Sequence, residues 1–298
     1  MATILHGDCL AVMKSLPDKS VNLFLCDLPY GCLTGGAGKE KAKRIANVAN
    51  RTRKACPPTD RGERVLPDGT SAPAGILGGC PWDVKIDLSA FWHEVKRLAK
   101  DDHTPVLMFC STKFGVELIT SNPDWFRYDL VWNKMCGVSF LTANKMPMRS
   151  HEMVYVFAKK GATYYRKDVE GDFPKWLVGK NGMRSGNHAD AGLPKATISG
   201  GDGKRCALSV VACKTARSNQ KGSKKEHKHP TQKPDALYEW LIERYSKEGD
   251  TVLDPTAGSF ASVFTAVKMG RIAIGIEKDD AFFAKAENSL AEKCGTIV

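Results

Sequence analysis

The chain has 298 residues, enough for one large domain or for a core with a smaller appendage, and its 42% apolar and 26% charged content is ordinary for a globular protein. No apolar run approaches the roughly 18 residues of a membrane span, the N-terminal stretch is too polar for a signal peptide, and ten scattered cysteines fit a reducing cytoplasm better than a disulfide framework. The 44 Lys+Arg outnumber the 33 Asp+Glu, a formal charge of +11 that suits a polyanionic partner.

In chain order, "ATILHGD" reads as a short strand ending at Gly7-Asp8, and "CLAVMKSLPD" as a helical stretch closed by Pro17. "VNLFLCD" reads as a strand apolar on both faces, as parallel sheets require. It runs into "CDLPYG", which sets a carboxylate, a proline and an aromatic at the mouth of a buried strand. The stretch 33–79 is rich in Gly, Pro and charge and is expected to be a long flexible insertion. Leu88, Phe91, Trp92, Val95 and Leu98 then recur at helical spacing. "TPVLMFC" predicts a strand, "TKFGVELITSN" a helix, and "RYDLVWNK" and "HEMVYVFAK" two more strands.

Between 161 and 227 the composition turns to Gly, Lys, Asn and Asp with few periodic apolar positions, the signature of a small appended region. Regular elements return with the helix "PDALYEWLIERYSK", opened by Pro234. The strand "TVLD", the helix "SFASVFTAVKMG", the strand "RIAIGIE" and the helix "DAFFAKAENSLAEK" follow. Alternating strands and helices predict an α/β fold, a doubly wound and mostly parallel sheet covered on both faces. The expected organisation is a first half over 1–160 carrying the 33–79 insertion, the small region 161–227, and a second half over 228–298.

"TVLDPTAGSF" runs strand, glycine turn, helix, the arrangement at which open parallel sheets bind ligands beyond their strand ends. Gly258 lets backbone N–H groups approach a ligand, although a bend alone can also use a glycine. Glu277 ends the next strand, where an acid can accept hydrogen bonds from both ribose hydroxyls. Together they favour a nucleoside cofactor; a dinucleotide fits less well, because "AGSFAS" is not G-x-G-x-x-G.

"DLPYG" (27–31), "HPTQKP" (229–234), "DPTAGSF" (254–260) and Glu277, in this order, resemble the S-adenosylmethionine-dependent amino-methyltransferases of DNA, with the arrangement of their beta class. "LPDKSVNLFLCDLPYG", "YDLVWNK" and "FLTANKMPMRSHEMVYVFAKK" extend the likeness to nearly everything outside 33–79 and 161–227. The resemblance implies a Rossmann-like methyltransferase fold, S-adenosyl-L-methionine as cofactor and no metal. It also implies double-stranded DNA as substrate, with 161–227 as the target-recognition region. Two departures stand out: Leu28 replaces the first proline of the usual Asp-Pro-Pro-Tyr, and Phe260 stands at the second glycine of the usual Phe-x-Gly-x-Gly, with Thr256 at the Phe place.

The residue chemistry agrees. An exocyclic amino nitrogen is a poor nucleophile because its lone pair is delocalised into the ring. Asp27 can accept one of its N–H bonds and the Pro29 carbonyl the other, so the lone pair is directed outward. Tyr30 offers a ring face to a base flipped from the duplex. The catalytic set is therefore Asp27, Pro29 and Tyr30. By resemblance the cofactor set is Asp8, Cys9, Asp27, His229, Thr231, Gln232, Lys233, Asp254, Pro255, Thr256, Ala257, Gly258, Ser259, Glu277 and Lys278.

Basic residues in non-periodic stretches suit phosphate contact: Lys39, Lys41, Lys43 and Arg44 in the insertion, and Lys204, Arg205, Lys221, Lys224 and Lys225 in the second region. Cys206, Cys213, His227 and His229 lack the spacing of a zinc finger. Cys26 and Cys110 are expected to be packing residues, and Trp132, Phe140, Tyr155 and Phe157 core. Asp27 favours adenine-N6 transfer, since the resembling cytosine-N4 enzymes more often carry Ser there. The remaining alternatives are that cytosine-N4 enzyme, a non-catalytic cofactor-binding DNA protein and a nicotinamide oxidoreductase. A homodimer, a bacterial or phage-infected cytoplasm and a restriction-modification setting are consistent with the resemblance.

Overall fold

A computed structural model describes residues 1–31, 64–65, 71–72, 84–138, 140, 143–170, 204–215 and 232–294. Backbone packing divides the chain into two units, Met1–Asp27 with Leu88–Val298, and Leu28–Asp87.

The larger unit opens with β1 (Ala2–His6), α1 (Cys9–Met13) and β2 (Leu23–Cys26). In the smaller unit, β3 (Arg64–Val65) pairs antiparallel with β4 (Ser71–Ala72). The larger unit resumes with α2 (Leu88–Leu98), β5 (Val106–Cys110), α3 (Thr112–Ser121), β6 (Phe126–Val138) and β7 (Arg149–Phe157). Short strands follow: β8 (Val169–Glu170), β9 (Lys204–Arg205) and β10 (Val210–Ala212). The chain ends with α4 (Asp235–Tyr245), β11 (Thr251–Asp254), α5 (Ala261–Lys268), β12 (Ile272–Glu277) and α6 (Asp280–Cys294).

Eight strands form one sheet in the order β1-β12-β11-β2-β5-β7-β6-β10. Only β7 runs against its neighbours; the other pairings are parallel. The expected doubly wound, mostly parallel sheet is present. After β2 the chain builds outward through β5, and it returns at β11 to build the other way through β12. The boundary between β2 and β11 is thus the topological switch point, where open sheets bind ligands beyond their strand ends.

Burial follows the sequence pattern. β2 and β5 are buried throughout, as central parallel strands must be. The stripe Phe91, Trp92, Val95 and Leu98 of α2 is buried, and Leu237, Leu241 and Tyr245 of α4 join the main core with Leu107 and Phe109. Charge inside the packing is paired: Glu94 is buried and held by Arg97 at 2.7 Å. Arg97 also donates to the Met13 carbonyl at 2.7 Å and the Leu16 carbonyl at 2.8 Å, meeting acceptors at the end of α1.

Two local features depart from the sequence expectation. β10 lies inside the stretch expected to lack periodic apolar residues; it is three residues long and pairs as an edge strand on β6. Phe140, at the β6–β7 connection, is 78% exposed rather than core. Trp132, Tyr155, Phe157, Cys26 and Cys110 are buried as expected.

Candidate functional site

Four acidic side chains stand at or just past the carboxyl ends of four adjacent parallel strands: Asp8 after β1, Glu277 on β12, Asp254 on β11 and Asp27 after β2. Asp254 and Asp27 flank the switch point.

On the β11 side the turn is built by hydrogen bonds from its own residues. Asp254 is buried; its carboxylate accepts from the Thr256 N–H at 3.0 Å and from the Ser262 hydroxyl. Gly258 has φ +52°, and its N–H donates to Glu277 Oε2 at 2.8 Å. The other oxygen of Glu277 accepts the Asp279 N–H at 2.8 Å, so this one carboxylate ties the glycine turn to the segment after β12. Phe260, the departure from the glycine pattern, takes a left-handed conformation (φ +57°) as the N-cap of α5. Such a backbone costs a side-chain-bearing residue about 1–2 kcal/mol. Burial of the ring compensates: it packs over Gly275, where an added Cβ would lie 2.8 Å from it. The Thr256 hydroxyl is buried without a hydrogen-bond partner. An orphaned donor beside a glycine turn and a strand-end acid is the donor set a nucleoside would satisfy.

Asp8 is exposed and caps α1, accepting from the Leu10 N–H at 3.0 Å and the Ala11 N–H at 3.2 Å. Cys9 is buried, and burial pushes its thiol up to about 11. Pro255, Ala257 and Gly258 are buried, Ser259 is half-buried, and Lys278 is exposed.

On the β2 side, Asp27 receives an ammonium. Lys233, just before α4, is buried and places Nζ 2.5 Å from Asp27 Oδ2, 3.7 Å from Glu152 Oε2 and 5.1 Å from the Phe109 ring centre. Glu152 Oε1 is in turn paired with Lys134 Nζ at 2.5 Å. Burial alone would push the Lys233 ammonium down; Asp27 and Glu152 outweigh it and hold the group above the ordinary lysine value. Burial pushes Asp254 up to about 7, opposed by its two hydrogen bonds and reinforced by Asp27 and Glu277. Burial raises the Cys26 thiol well above its usual range and Cys110 to about 12, so neither is poised as a thiolate nucleophile.

Asp27, Lys233, Asp254, Gly258 and Glu277 are thus brought to one end of the sheet, and Gln232 is half-buried beside Lys233 in the chain. Pro29 and Tyr30, half-buried, belong to the smaller unit. Arg205 pairs its backbone with Val169, and Lys204 with Glu170. His229, Thr231, Lys39, Lys41, Lys43, Arg44, Lys221, Lys224 and Lys225 lie outside the described residues. No cluster of metal-binding side chains occurs among the described residues. Sequence reasoning missed Glu152, Lys134 and Phe109; the available signal for the first two was a charge bordering an apolar run, Lys134 after "LVW" and Glu152 before "MVYVF".

A parallel sheet with a glycine turn on one side of its switch point and a strand-end aspartate on the other is the architecture of a Rossmann-like methyltransferase. The chain belongs to the DNA methylase family of N6/N4 amino-methyltransferases, whose profile matches residues 87–288. The Asp27 motif precedes that range. Over 299 aligned positions, 97% of this chain and 68% of the relative, the chain is 24% identical to the type II methyltransferase M.HinfI of Haemophilus influenzae. It is 55% identical over 49 residues to the DNA adenine methyltransferase YhdJ of Escherichia coli K12, a stretch covering 16% of this chain and 17% of that one. The PvuII cytosine-N4-specific DNA methyltransferase structure shares the fold, with a TM-score of 0.55 at 13% identity over 96% of this chain and 85% of that one.

Proposed function

We propose that the protein is a site-specific DNA adenine-N6 methyltransferase that uses S-adenosyl-L-methionine and acts on a base flipped out of the duplex. The observation that carries this reading is Asp27 at the switch point, paired with the buried Lys233 and followed in the chain by Pro29-Tyr30.

When bound, S-adenosyl-L-methionine would supply an electrophilic methyl group. The residues that would hold it are Glu277 toward the ribose, the Thr256 hydroxyl and the Gly258 turn, with Asp8 at the neighbouring strand end. The acidic row Asp8, Glu277, Asp254 and Asp27 suits a cationic sulfonium over its neutral thioether product. Asp27, paired with the adjacent ammonium, accepts one N–H of the target amino group. The Pro29 carbonyl accepts the other, and Tyr30 stacks on the base, contributing about 1–3 kcal/mol toward the cost of unstacking. As the nitrogen gains its fourth bond, its excess proton leaves toward Asp27.

The positive charge supports double-stranded DNA as partner. Residues 161–227 are proposed as the target-recognition region, between a catalytic half (1–160) and a cofactor half (228–298). No helix among the described residues is long and apolar enough to cross a membrane. The test is mass spectrometry of nucleosides from duplex DNA incubated with the protein and isotopically labelled S-adenosyl-L-methionine. Label in N6-methyladenine supports the reading; label in N4-methylcytosine moves the protein to the other branch of the family, and no labelled nucleoside refutes both.

A further inference from the structure

Glu152 and Lys134 lie on the antiparallel pair β7 and β6, where Glu152 faces Trp132 across the ladder. Lys134 is buried and Glu152 half-buried, and an ionised side chain so placed is costly unless paired. They are paired with each other at 2.5 Å, and Glu152 turns its second oxygen toward Lys233. At 3.7 Å that contact exceeds a hydrogen bond, and Glu152 Oε2 has no hydrogen-bond partner although it is buried. Its action on Lys233 is therefore that of a fixed charge. The chain of charges reads Lys134, Glu152, Lys233, Asp27, two of each sign, and it runs from the strands outside the parallel core to the switch point. We propose that Lys134 and Glu152 are positioning residues: Lys134 fixes Glu152, Glu152 keeps the Lys233 ammonium seated on Asp27, and Asp27 is thereby held in place to receive the target amino group.

The inference rests on the methyltransferase reading for the role of Asp27, but its electrostatic core does not. Lys233 has an apolar ring, Phe109, at 5.1 Å, and depends on two carboxylates to stay charged in a buried position. Besides Asp27, Glu152 and Lys134, the groups that share this field are Asp254, Asp235, Asp129, the buried Tyr238, Cys110 and Arg149. A purely structural ion pair would predict something different: its loss would lower stability and shift the Lys233 titration without lowering kcat.

The experiment compares wild type with Glu152→Gln, which keeps shape and removes charge, and with Lys134→Met. Two quantities are read. The first is the Lys233 titration by NMR of 13C-labelled lysine in the free protein, assigned from the signal lost in Lys233→Met. It should move to lower pH in Glu152→Gln. The second is methyl transfer: kcat should fall about a hundredfold, the cost of roughly an ångström of misplacement, with KM for DNA and for S-adenosyl-L-methionine unchanged. The alkaline limb of the kcat profile should move down in step with Lys233. Lys134→Met should lower kcat by releasing Glu152, while the Lys233 titration, relieved of a nearby cation, should not move to lower pH. An unmoved Lys233 titration in Glu152→Gln overturns the proposal, as does a rate loss carried by KM alone. If the wild type transfers no methyl group, the functional reading fails by itself, and the NMR titration still decides whether Glu152 governs Lys233.

Discussion

Asp254 should lower the stability of this protein at neutral pH, and Asp254→Asn should raise it. The side chain is buried at the end of β11, and its carboxyl is pushed from the ordinary 3.8 up to about 7 by burial first and by Asp27 and Glu277 in addition. The sign follows from proton counting. Between those two values the folded protein keeps a proton that the unfolded chain has released, so stability falls as pH rises. Below the unfolded value both states are protonated and nothing is lost. Above the folded value both are ionised and the full penalty is present. A rise of about three pH units corresponds to about 4 kcal/mol. Asparagine imitates the protonated acid: its oxygen can accept the Thr256 N–H and its amide can donate to the Ser262 hydroxyl, the two groups now bound to the carboxylate. Urea unfolding of both proteins between about pH 4 and about pH 8 should give similar stabilities at the acid end. The variant should then gain progressively, by up to about 4 kcal/mol. Parallel curves over that range would show that Asp254 is not carrying a displaced proton equilibrium and would refute the electrostatic account of the strand-end row.

Asp27→Ala should abolish single-turnover methyl transfer while calorimetry finds S-adenosyl-L-methionine binding within about tenfold of wild type, because its contribution is made in the transition state; near-normal turnover would sink the clamp. Glu277→Ala should weaken cofactor binding by about 1.5–3 kcal/mol, the range for hydrogen bonds to a charged group. It should also loosen the turn, since the Gly258 and Asp279 N–H groups both lose their acceptor; unchanged calorimetric affinity would reduce Glu277 to a structural tie. Phe260→Gly relieves the positive φ but empties the space over Gly275, so thermal or urea unfolding should report a net loss of about 2–4 kcal/mol; a more stable variant would mean that strain outweighs packing there. Neutralising Lys39, Lys41, Lys43 and Arg44 together should weaken binding to any duplex and flatten its salt dependence by about 0.9 in log–log slope per lost phosphate contact, leaving sequence preference intact; an unchanged slope would remove the insertion from the DNA interface.

Local chemistry made the regular elements legible in the sequence. Apolar runs in β2 and β5, helical spacing in α2 and α4, and glycine at the turn after β11 act over a few residues, so their consequences can be read a few residues at a time. The strand-end positions of Asp27, Asp254 and Glu277 were legible for the same reason: each is the first polar residue after an apolar run. The strand order could not be read in this way. That β7 runs antiparallel between β5 and β6, and that a three-residue strand at Val210 closes the edge, depends on pairings between distant segments.

The buried charges show the division most clearly. From sequence, Lys233 belonged by resemblance with the cofactor set, and Lys134 and Glu152 were unassigned. Only the folded sheet brings Lys233 to within 2.5 Å of a residue 206 positions earlier and sets Glu152 between two lysines. Phe260 gives the same lesson in packing. Its backbone position asks for glycine, and its tolerance is explained by the empty side-chain position of Gly275 on another element. Hydrophobic periodicity and turn chemistry depend on near neighbours along the chain and are written in the order of residues. The pairing of buried charges and the filling of space over a glycine depend on near neighbours in space, which only the assembled sheet supplies.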